Sequence, residues 1–314
     1  MPSYQKCAVI DLGSGSARFY IGEVTSGEDV NILHKEGYVH GLMNDLQEHQ
    51  AVQIKTAEKL RDIFIRWKNI MEEEGVHRYR LAATEAVRAA PNTNELQSIL
   101  EQSGLKMDVL SHEQEVELSL HMNLHHLQGK GDALFVDSGA ASTEMVLVKN
   151  RRVESLHPFK IGTATFARPF TQDDRVDSKK LQTQVVELAN EIHQSLKGWP
   201  LDNIEKGRLI IAGSPVYVLM FSCQVPQKLR DSLEGTKVTE QELWQTLEEL
   251  NQMGLEGREN HEYIHAPTQG LIPSAIIIFL SLLKATGQNQ FVAAAGGLGR
   301  GLLLSAANGD GHQI

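Results

Sequence analysis

Residues 134–148, LFVDSGAASTEMVLV, constrain this chain more than any other stretch. Apolar residues lead into Asp137, a turn of small residues follows, and a second β-prone run leaves it. Residues 8–24, AVIDLGSGSARFYIGEV, repeat the pattern. Aligning Asp11 with Asp137 also aligns Gly13 with Gly139 and Ser16 with Ser142, and sets Arg18 against Glu144. Two strand–turn–strand units 126 residues apart, each with an acid at the strand end and glycine in the turn, imply a duplicated domain of ordinary size.

The physics of such a turn is specific. Glycine and serine let the backbone approach a ligand closely and aim successive N–H groups into one concavity, which suits a phosphate. A carboxylate at the end of an apolar strand is unfavourable unless it is used, and a divalent cation or an attacking water would use it. Asp11 and Asp137 are therefore candidate metal ligands. The plain alternative is a pair of β-hairpins with ordinary Gly/Ser turns, and two matching copies argue against it. The dinucleotide fingerprint does not fit, because the strand-like run Phe19, Tyr20, Ile21 follows the glycines where a helix should start.

A length of 314 residues fits two domains better than one, and 41% hydrophobic with 22% charged residues is the composition of an ordinary globular protein. No run reaches the length of a membrane helix, and MPSYQKCAVI lacks the apolar core of a signal peptide. Two cysteines, Cys7 and Cys223, make neither a disulfide framework nor a zinc pattern, so a reducing cytoplasm is expected. A net charge of −10 argues against broad nucleic-acid binding, and no membrane partner is expected. An anionic substrate must then meet a local basic cluster, for which Arg18, Arg88, Arg151, Arg152, Lys160 and Arg300 are candidates.

Along the chain, residues 30–34 read as a third strand and residues 51–75 as an amphipathic helix with Ile54, Ala57, Leu60, Phe64, Trp67 and Met71 on one face. A strand at 79–83 runs into TEAVRAAPN, followed by a helix near 94–103 and a strand at 106–110. Ser111 then reads as a helix cap with Gln114 in the capping-box position, and Glu113, Glu115 and Glu117 follow. Acids near a helix start are favoured by its dipole in any case.

Residues 129–132 read as the boundary between lobes. The second copy opens with strands at 133–136, 145–148 and 152–156, then a helix at 178–196 and a buried strand at 208–212. That strand ends in Gly213 and Ser214, another candidate phosphate turn. Helices at 240–252 and 271–284 and a strand at 291–292 lead into AAAGGLGRG and a short last helix. Strands and helices alternate in both halves, so the fold class is α/β.

Taken together, these stretches resemble the exopolyphosphatase and guanosine-pentaphosphate phosphohydrolase (Ppx/GppA) family, within the actin-like, sugar-kinase-like and Hsp70-like ATPase superfamily. IDLGSGSAR is similar to its first phosphate hairpin, ATEAVRAAPN to its Ala-Thr-Ser-Ala-x-Arg segment, VLSHEQEVE to the segment with its catalytic glutamate, and VDSGAASTE to its second phosphate hairpin. The resemblance implies two ribonuclease-H-like lobes with a duplicated βββαβα core and an interlobe cleft. The first lobe would span residues 1–128, together with a C-terminal helix at 299–314, and the second residues 129–298. It also implies hydrolysis of a terminal phosphoanhydride, the substrate being inorganic polyphosphate or guanosine penta/tetraphosphate. Glu115 would be the base that orients and deprotonates the attacking water; Asp137 and Glu144, with Asp11, would hold Mg2+ or another divalent cation. Gly13, Ser14, Ser16, Arg18, Arg88, Gly139, Ser142, Thr143, Gly213 and Ser214 would bind phosphate, and a homodimer is expected on the same grounds.

The sequence departs from the family pattern at Gly15 (usually asparagine), at Ala140 and Ala141 (usually glycines), and at His112 (usually glycine). Thr165 stands where an arginine is usual, Thr268 and Gly270 replace an Arg/Asp pair, and Ser214-Pro215 and Gly299 alter two later blocks. These losses of basic or phosphate-facing residues motivate a second reading, a catalytically weakened nucleotide- or phosphate-binding regulatory protein of the same fold. A third, ATP-dependent kinase activity, rests on AAAGGLGRG, which close helix packing also explains. The motif HEYIH at 261–265 matches a zinc-protease pattern, but Gly254, Gly257 and Pro267 leave little helix to present it. His121 and His125, four apart, read as a polar helix face, and the stripe at 271–283 reads as core.

Overall fold

The computed structural model describes residues 4–25, 29–127, 131–164, 166, 175–264, 268–294 and 297–314. Thr165, His265, Pro267 and part of the expected lobe boundary lie outside the described residues. The chain divides into two compact units, one of Met1–Met122 with Leu298–Ile314, the other of Asn123–Gly297.

The first unit opens with three antiparallel strands, β1 (Gln5–Leu12), β2 (Ser16–Val24) and β3 (Val30–Val39). Strand β3 continues past the five residues the sequence suggests. Its residues alternate between half-buried and exposed, and the charged Lys35 and Glu36 followed by Gly37 interrupt the apolar run that a hydropathy reading follows. Helices α1 (Leu42–His49) and α2 (Ile54–Glu73) follow, then β4 (Arg78–Ala83), the short α3 (Glu85–Arg88), α4 (Thr93–Glu101) and β5 (Met107–Val109). Helix α1 has one buried residue, Leu42, with Leu46 one turn on packed against the core, an apolar edge too short to mark a helix in the sequence.

Strand β1 is central: β2 lies antiparallel on one side, and β4 lies parallel on the other. Strand β4 is edged by β5 and by the terminal β12 (His312–Gln313). One sheet face packs on α2, where Ala57, Leu60, Phe64, Trp67 and Met71 are buried as their spacing predicts, whereas Ile54, at the first position of the helix, is exposed. Cys7, Val9 and Tyr20 on the other face meet Leu302, Leu303 and Leu304 of α10 (Leu298–Ser305). The Gly-rich segment before and within α10 serves this contact: a Cβ on Gly299 would stand 2.6 Å from the Tyr20 ring, and one on Gly301 2.3 Å from the Leu118 carbonyl oxygen. Helix α5 (His112–Asn123) starts at a reciprocal cap, in which Ser111 N–H donates to Gln114 Oε1 (2.9 Å) and Gln114 N–H to Ser111 Oγ (3.3 Å).

The second unit repeats the plan. Strands β6 (Ala133–Ser138), β7 (Thr143–Lys149) and β8 (Arg152–Phe159) form the antiparallel part, and β9 (Leu209–Gly213) and β11 (Gln290–Ala294) extend the sheet in parallel from β6. The antiparallel β10 (Lys237–Thr239) closes that edge. Helix α6 (Ser178–Ser195) starts at Asp177, whose carboxylate accepts from the N–H groups of Lys179 and Lys180. Helix α7 (Pro215–Ser222) is apolar throughout, so no periodicity marks it; Pro215 sits at its first turn.

Helix α8 (Glu240–Glu259) runs further than its sequence suggests, bending at Gly254, whose φ is 69°. Helix α9 (Leu271–Thr286) is buried nearly all round at the centre of this core, which is the role read for its apolar stripe. No described helix is long and apolar enough to cross a membrane.

The two sheets match residue by residue. Asp11 pairs with Arg18 across β1–β2, and Asp137 with Glu144 across β6–β7, each pair offset by the same 126 positions. In the parallel direction Asp11 lies beside Ala82 and Asp137 beside Ala212. Even the register shift in the third pairing recurs, between Ile21 and Gly22 and between Leu147 and Val148. The duplicated βββαβα core is present.

Candidate active site

In both hairpins the turn is closed the same way. Gly13 N–H donates to the Ser16 carbonyl (3.1 Å), and Gly139 N–H to the Ser142 carbonyl (3.0 Å). Among the described residues, the backbone N–H groups of Ser14, Gly15, Ala140 and Ala141 have no protein acceptor. Successive unsatisfied N–H groups in a tight turn form a concavity for an anion. Each turn lies where β1 or β6 ends, at the carboxyl edge of the parallel strands, the customary place for a ligand in such sheets.

The second turn is buttressed from its own unit. Thr163 N–H donates to Gly139 O (3.1 Å), Ala164 N–H to Ala140 O (2.8 Å), and Thr143 Oγ1 to Ile161 O (2.7 Å). A Cβ on Gly162 would lie 2.3 Å from Ala140 O, so only glycine lets the segment lie this close. On the other side, Gly213 adopts φ +89°, and a Cβ there would fall 2.4 Å from Ser138 O and 3.3 Å from Asp137 Oδ1. Ser138 Oγ and Ser214 Oγ are hydrogen-bonded at 2.7 Å. The structure thus gathers Asp137, Gly139, Ser142, Thr143, Glu144, Gly213 and Ser214 at one end of the second sheet. Thr143 and Ser214 use their hydroxyls to hold the turn. Ser138, directly after Asp137 in the sequence, joins them unforeseen.

The first turn has lighter support. His40 N–H approaches Gly15 O (3.4 Å), and the imidazole Nδ1 accepts from Leu42 N–H (3.3 Å). His40 Nε2 is buried without a hydrogen-bond partner. Burial pushes the His40 pKa down to about 4, against the upward pull of the Gly13 and Ser16 backbone and of Asp45. Burial likewise raises the Asp11 carboxyl, and the Arg18 guanidinium opposes that rise. Asp11, Gly13, Ser14, Ser16 and Arg18 share this hairpin.

Glu115 and Arg88 meet elsewhere in the first unit. Strand β4 ends at Ala83, Thr84 N–H donates to Leu12 O (3.2 Å), and α3 carries Glu85 and Arg88 from there. The Arg88 guanidinium donates to Glu85 Oε2 from Nη2 (2.8 Å) and Nε (3.2 Å). It also donates through Nη1 to Leu110 O (2.6 Å) and to Glu115 Oε2 (3.3 Å), while Nη2 lies 3.0 Å from His112 Nδ1. Arg88, Glu85 and Glu115 side chains are 19%, 15% and 13% exposed, a half-dry cluster in which the arginine positions Glu115. Arg88 was expected to bind phosphate; its donors here go to protein acceptors. Glu85 and His112 were not foreseen as part of this cluster, though both stand in the motifs that carried the family resemblance.

Oxygen donors suit a hard cation. Asp137 and Glu144 supply two, directly opposite each other in an antiparallel pair, which puts both carboxylates on one face. Glu144 is 1% exposed, and two carboxylates so placed repel unless positive charge lies between or beside them. These residues fit a divalent ion. The HEYIH segment does not form a helical zinc face: His261 lies beyond the end of α8, and His265 is outside the described residues.

The Ppx/GppA phosphatase family profile matches residues 20–309. The chain belongs to the Ppx/GppA phosphatase family. A guanosine-5'-triphosphate,3'-diphosphate pyrophosphatase of Vibrio parahaemolyticus is 20% identical over 303 residues, which cover 94% of this chain and 58% of that relative. The chain therefore spans about three-fifths of the length of the curated relative it matches. Among solved structures, the Aquifex aeolicus Ppx/GppA family member superposes with a TM-score of 0.82 at 22% identity, covering 99% of this chain and all of that one. An exopolyphosphatase from Cytophaga hutchinsonii gives 0.81 at 16% identity, covering 97% and 98%. At such identities these structures establish the fold, the two-lobed actin-like α/β architecture of Ppx/GppA proteins.

Proposed function

We propose that this Ppx/GppA protein is a phosphohydrolase that releases terminal phosphate from guanosine penta/tetraphosphate or inorganic polyphosphate by water attack. The observation that carries the reading is the second hairpin: an anion-accepting turn at a strand end, with two carboxylates opposite each other just behind it. The N–H groups of the two turns, with the Ser14 and Ser142 hydroxyls, would orient phosphate oxygens. Glu115, held by Arg88, would accept the proton of the attacking water as its oxygen bonds to the terminal phosphorus. The bridging P–O bond breaks, and the shortened chain leaves with that oxygen. Such transfers need mainly positioning and charge neutralisation. Asp137 and Glu144 would hold a divalent cation, which when bound neutralises charge on the phosphates. Asp11 opposite Arg18 is a poorer ligand, because the guanidinium already balances it. The guanosine substrate class is favoured by the name of the V. parahaemolyticus relative.

The second reading, a weakened regulatory binder, is favoured by Ala140 and Ala141, whose methyl groups sit on the turn itself. Phosphate release from pppGpp and polyphosphate, with Mg2+, by wild type and Glu115→Gln separates the two. The hydrolase reading expects release that falls by about two to four orders of magnitude in the variant while binding persists. Binding without release by the wild type would leave the regulatory reading.

A further inference from the structure

One cluster in the second unit takes no part in this reading. His125 and His126 lie on a single 3-10 turn, Leu124–His126, and Glu234 lies in the turn that enters β10. His126 Nε2 is hydrogen-bonded to Glu234 Oε1, and His125 Nε2 stands 3.8 Å from the same oxygen. The two imidazole rings are 3.9 Å apart between centroids. One donor atom from each of the three residues falls within 4.8 Å of the others. We propose that His125, His126 and Glu234 form a binding site for a borderline transition-metal dication of the Zn2+ class, separate from the carboxylates of the hairpin.

Donor chemistry and backbone anchoring support it. Two imidazole nitrogens and a carboxylate oxygen match zinc, nickel or copper rather than magnesium, which prefers oxygen alone. Tetrahedral zinc sets its ligand atoms about 3.4 Å apart, so small side-chain rotations bring these three onto one ion and leave a fourth position for water. The carboxylate end is fixed: Gly235 N–H donates to Ala293 O (2.9 Å), and Ala293 N–H to Thr236 O (2.8 Å), which ties the Glu234 turn to β11. Gly235 has φ +76°, and a Cβ there would sit 3.5 Å from His126 Cε1. The histidine end is tied by Leu127 N–H to Leu124 O (3.0 Å) and by Arg151 Nη1 to Leu127 O (3.2 Å). The His126 side chain is 11% exposed, Glu234 29% and His125 62%, so the ion would enter from solvent past His125. Bound there, it would fasten residues 125–126 to the Glu234 turn.

The test titrates the untagged, metal-free full-length chain with Zn2+ against a chromophoric chelator, and with Co2+ by visible absorption. With Mg2+ in excess to fill the carboxylate pair of the hairpin, one equivalent of Zn2+ should bind in competition with the chelator, with the Co2+ bands of a four- or five-coordinate site. Glu234→Gln and His126→Gln should each weaken Zn2+ binding at least tenfold, in line with loss of a metal ligand, and Glu144→Gln should leave it unchanged. His125→Gln, at an exposed position, keeps the test valid if a buried variant fails to fold, and it too should weaken binding and remove the Co2+ bands. No stoichiometric site in the wild type would overturn the proposal, as would equal Zn2+ affinity in His125→Gln and Glu234→Gln, the ion then being held by others of the 13 histidines.

Discussion

The two hairpins share a backbone and differ in charge. Each has its aspartate at the same register position, the same glycine-to-serine turn bond, and the same neighbour in the parallel direction. Across the hairpin, however, Asp11 faces Arg18, whereas Asp137 faces Glu144. The first pair is balanced within itself. The second concentrates negative charge and asks for a cation. Duplication supplied two similar turns, and under the proposed reading the residue opposite each aspartate assigns metal handling to the second.

The largest expected effect comes from that pair. Glu144→Gln should lower divalent-dependent turnover by about two to three orders of magnitude, whereas Arg18→Gln should chiefly weaken substrate binding. A KM against kcat comparison separates them. Similar losses of kcat in both variants would erase the distinction between the hairpins.

Backbone support offers the next contrast. Gly162→Ala would drive a methyl into the Ala140 carbonyl at 2.3 Å and should destabilise the fold by about 2–4 kcal/mol in denaturant titration, displacing the second turn. Gly41→Ala, beyond β3 in the first unit, meets nothing within 4 Å and should be tolerated. Equal stabilities would mean that the second turn yields as easily as the first.

A smaller effect tests the methyl groups. Ala140→Gly with Ala141→Gly should tighten polyphosphate binding several-fold, by removing carbon from the path of the phosphate. Unchanged affinity would remove these alanines as a reason for weakness.

The first unit adds a contrast in stability, the pH response of His40. Its folded pKa, near 4, lies below the ordinary value of about 6.5, so the unfolded chain binds the proton first on acidification. Its contribution is complete above about pH 6.5 and is lost as pH falls toward 4, a change on the order of 2 kcal/mol. His40→Gln should flatten the stability profile in that window. Asp11, raised by burial, works in the opposite sense: its folded form binds the proton first, so acidification favours the fold there. Using the same background for both His40 proteins cancels its contribution.

The hairpins were legible because glycine spacing and the acid at each strand end are local signals. Their alignment foretold that Arg18 and Glu144 occupy equivalent positions; that each stands opposite its own aspartate is seen only in the strand pairing. The capping box at Ser111 and Gln114 was equally local. What stayed hidden depends on partners distant in sequence. The contacts of Arg88 with Glu85, Leu110 and Glu115 join residues up to 27 positions apart. Gly162 leads the segment after the third strand of its unit, but its need for a bare Cα arises only against Ala140. Helix α7 is hidden because an element apolar on every side has no periodicity, and the second half of β3 because Lys35, Glu36 and Gly37 break its apolar run.

The most direct test compares the aspartates themselves. Phosphate release from pppGpp would be measured over a Mg2+ titration for wild type, Asp11→Asn and Asp137→Asn. The account predicts that Asp137→Asn loses at least about a hundredfold in turnover and requires far more Mg2+. Asp11→Asn should keep the wild-type Mg2+ requirement with a smaller loss. Equal shifts in Mg2+ requirement, or a larger one for Asp11→Asn, would contradict it.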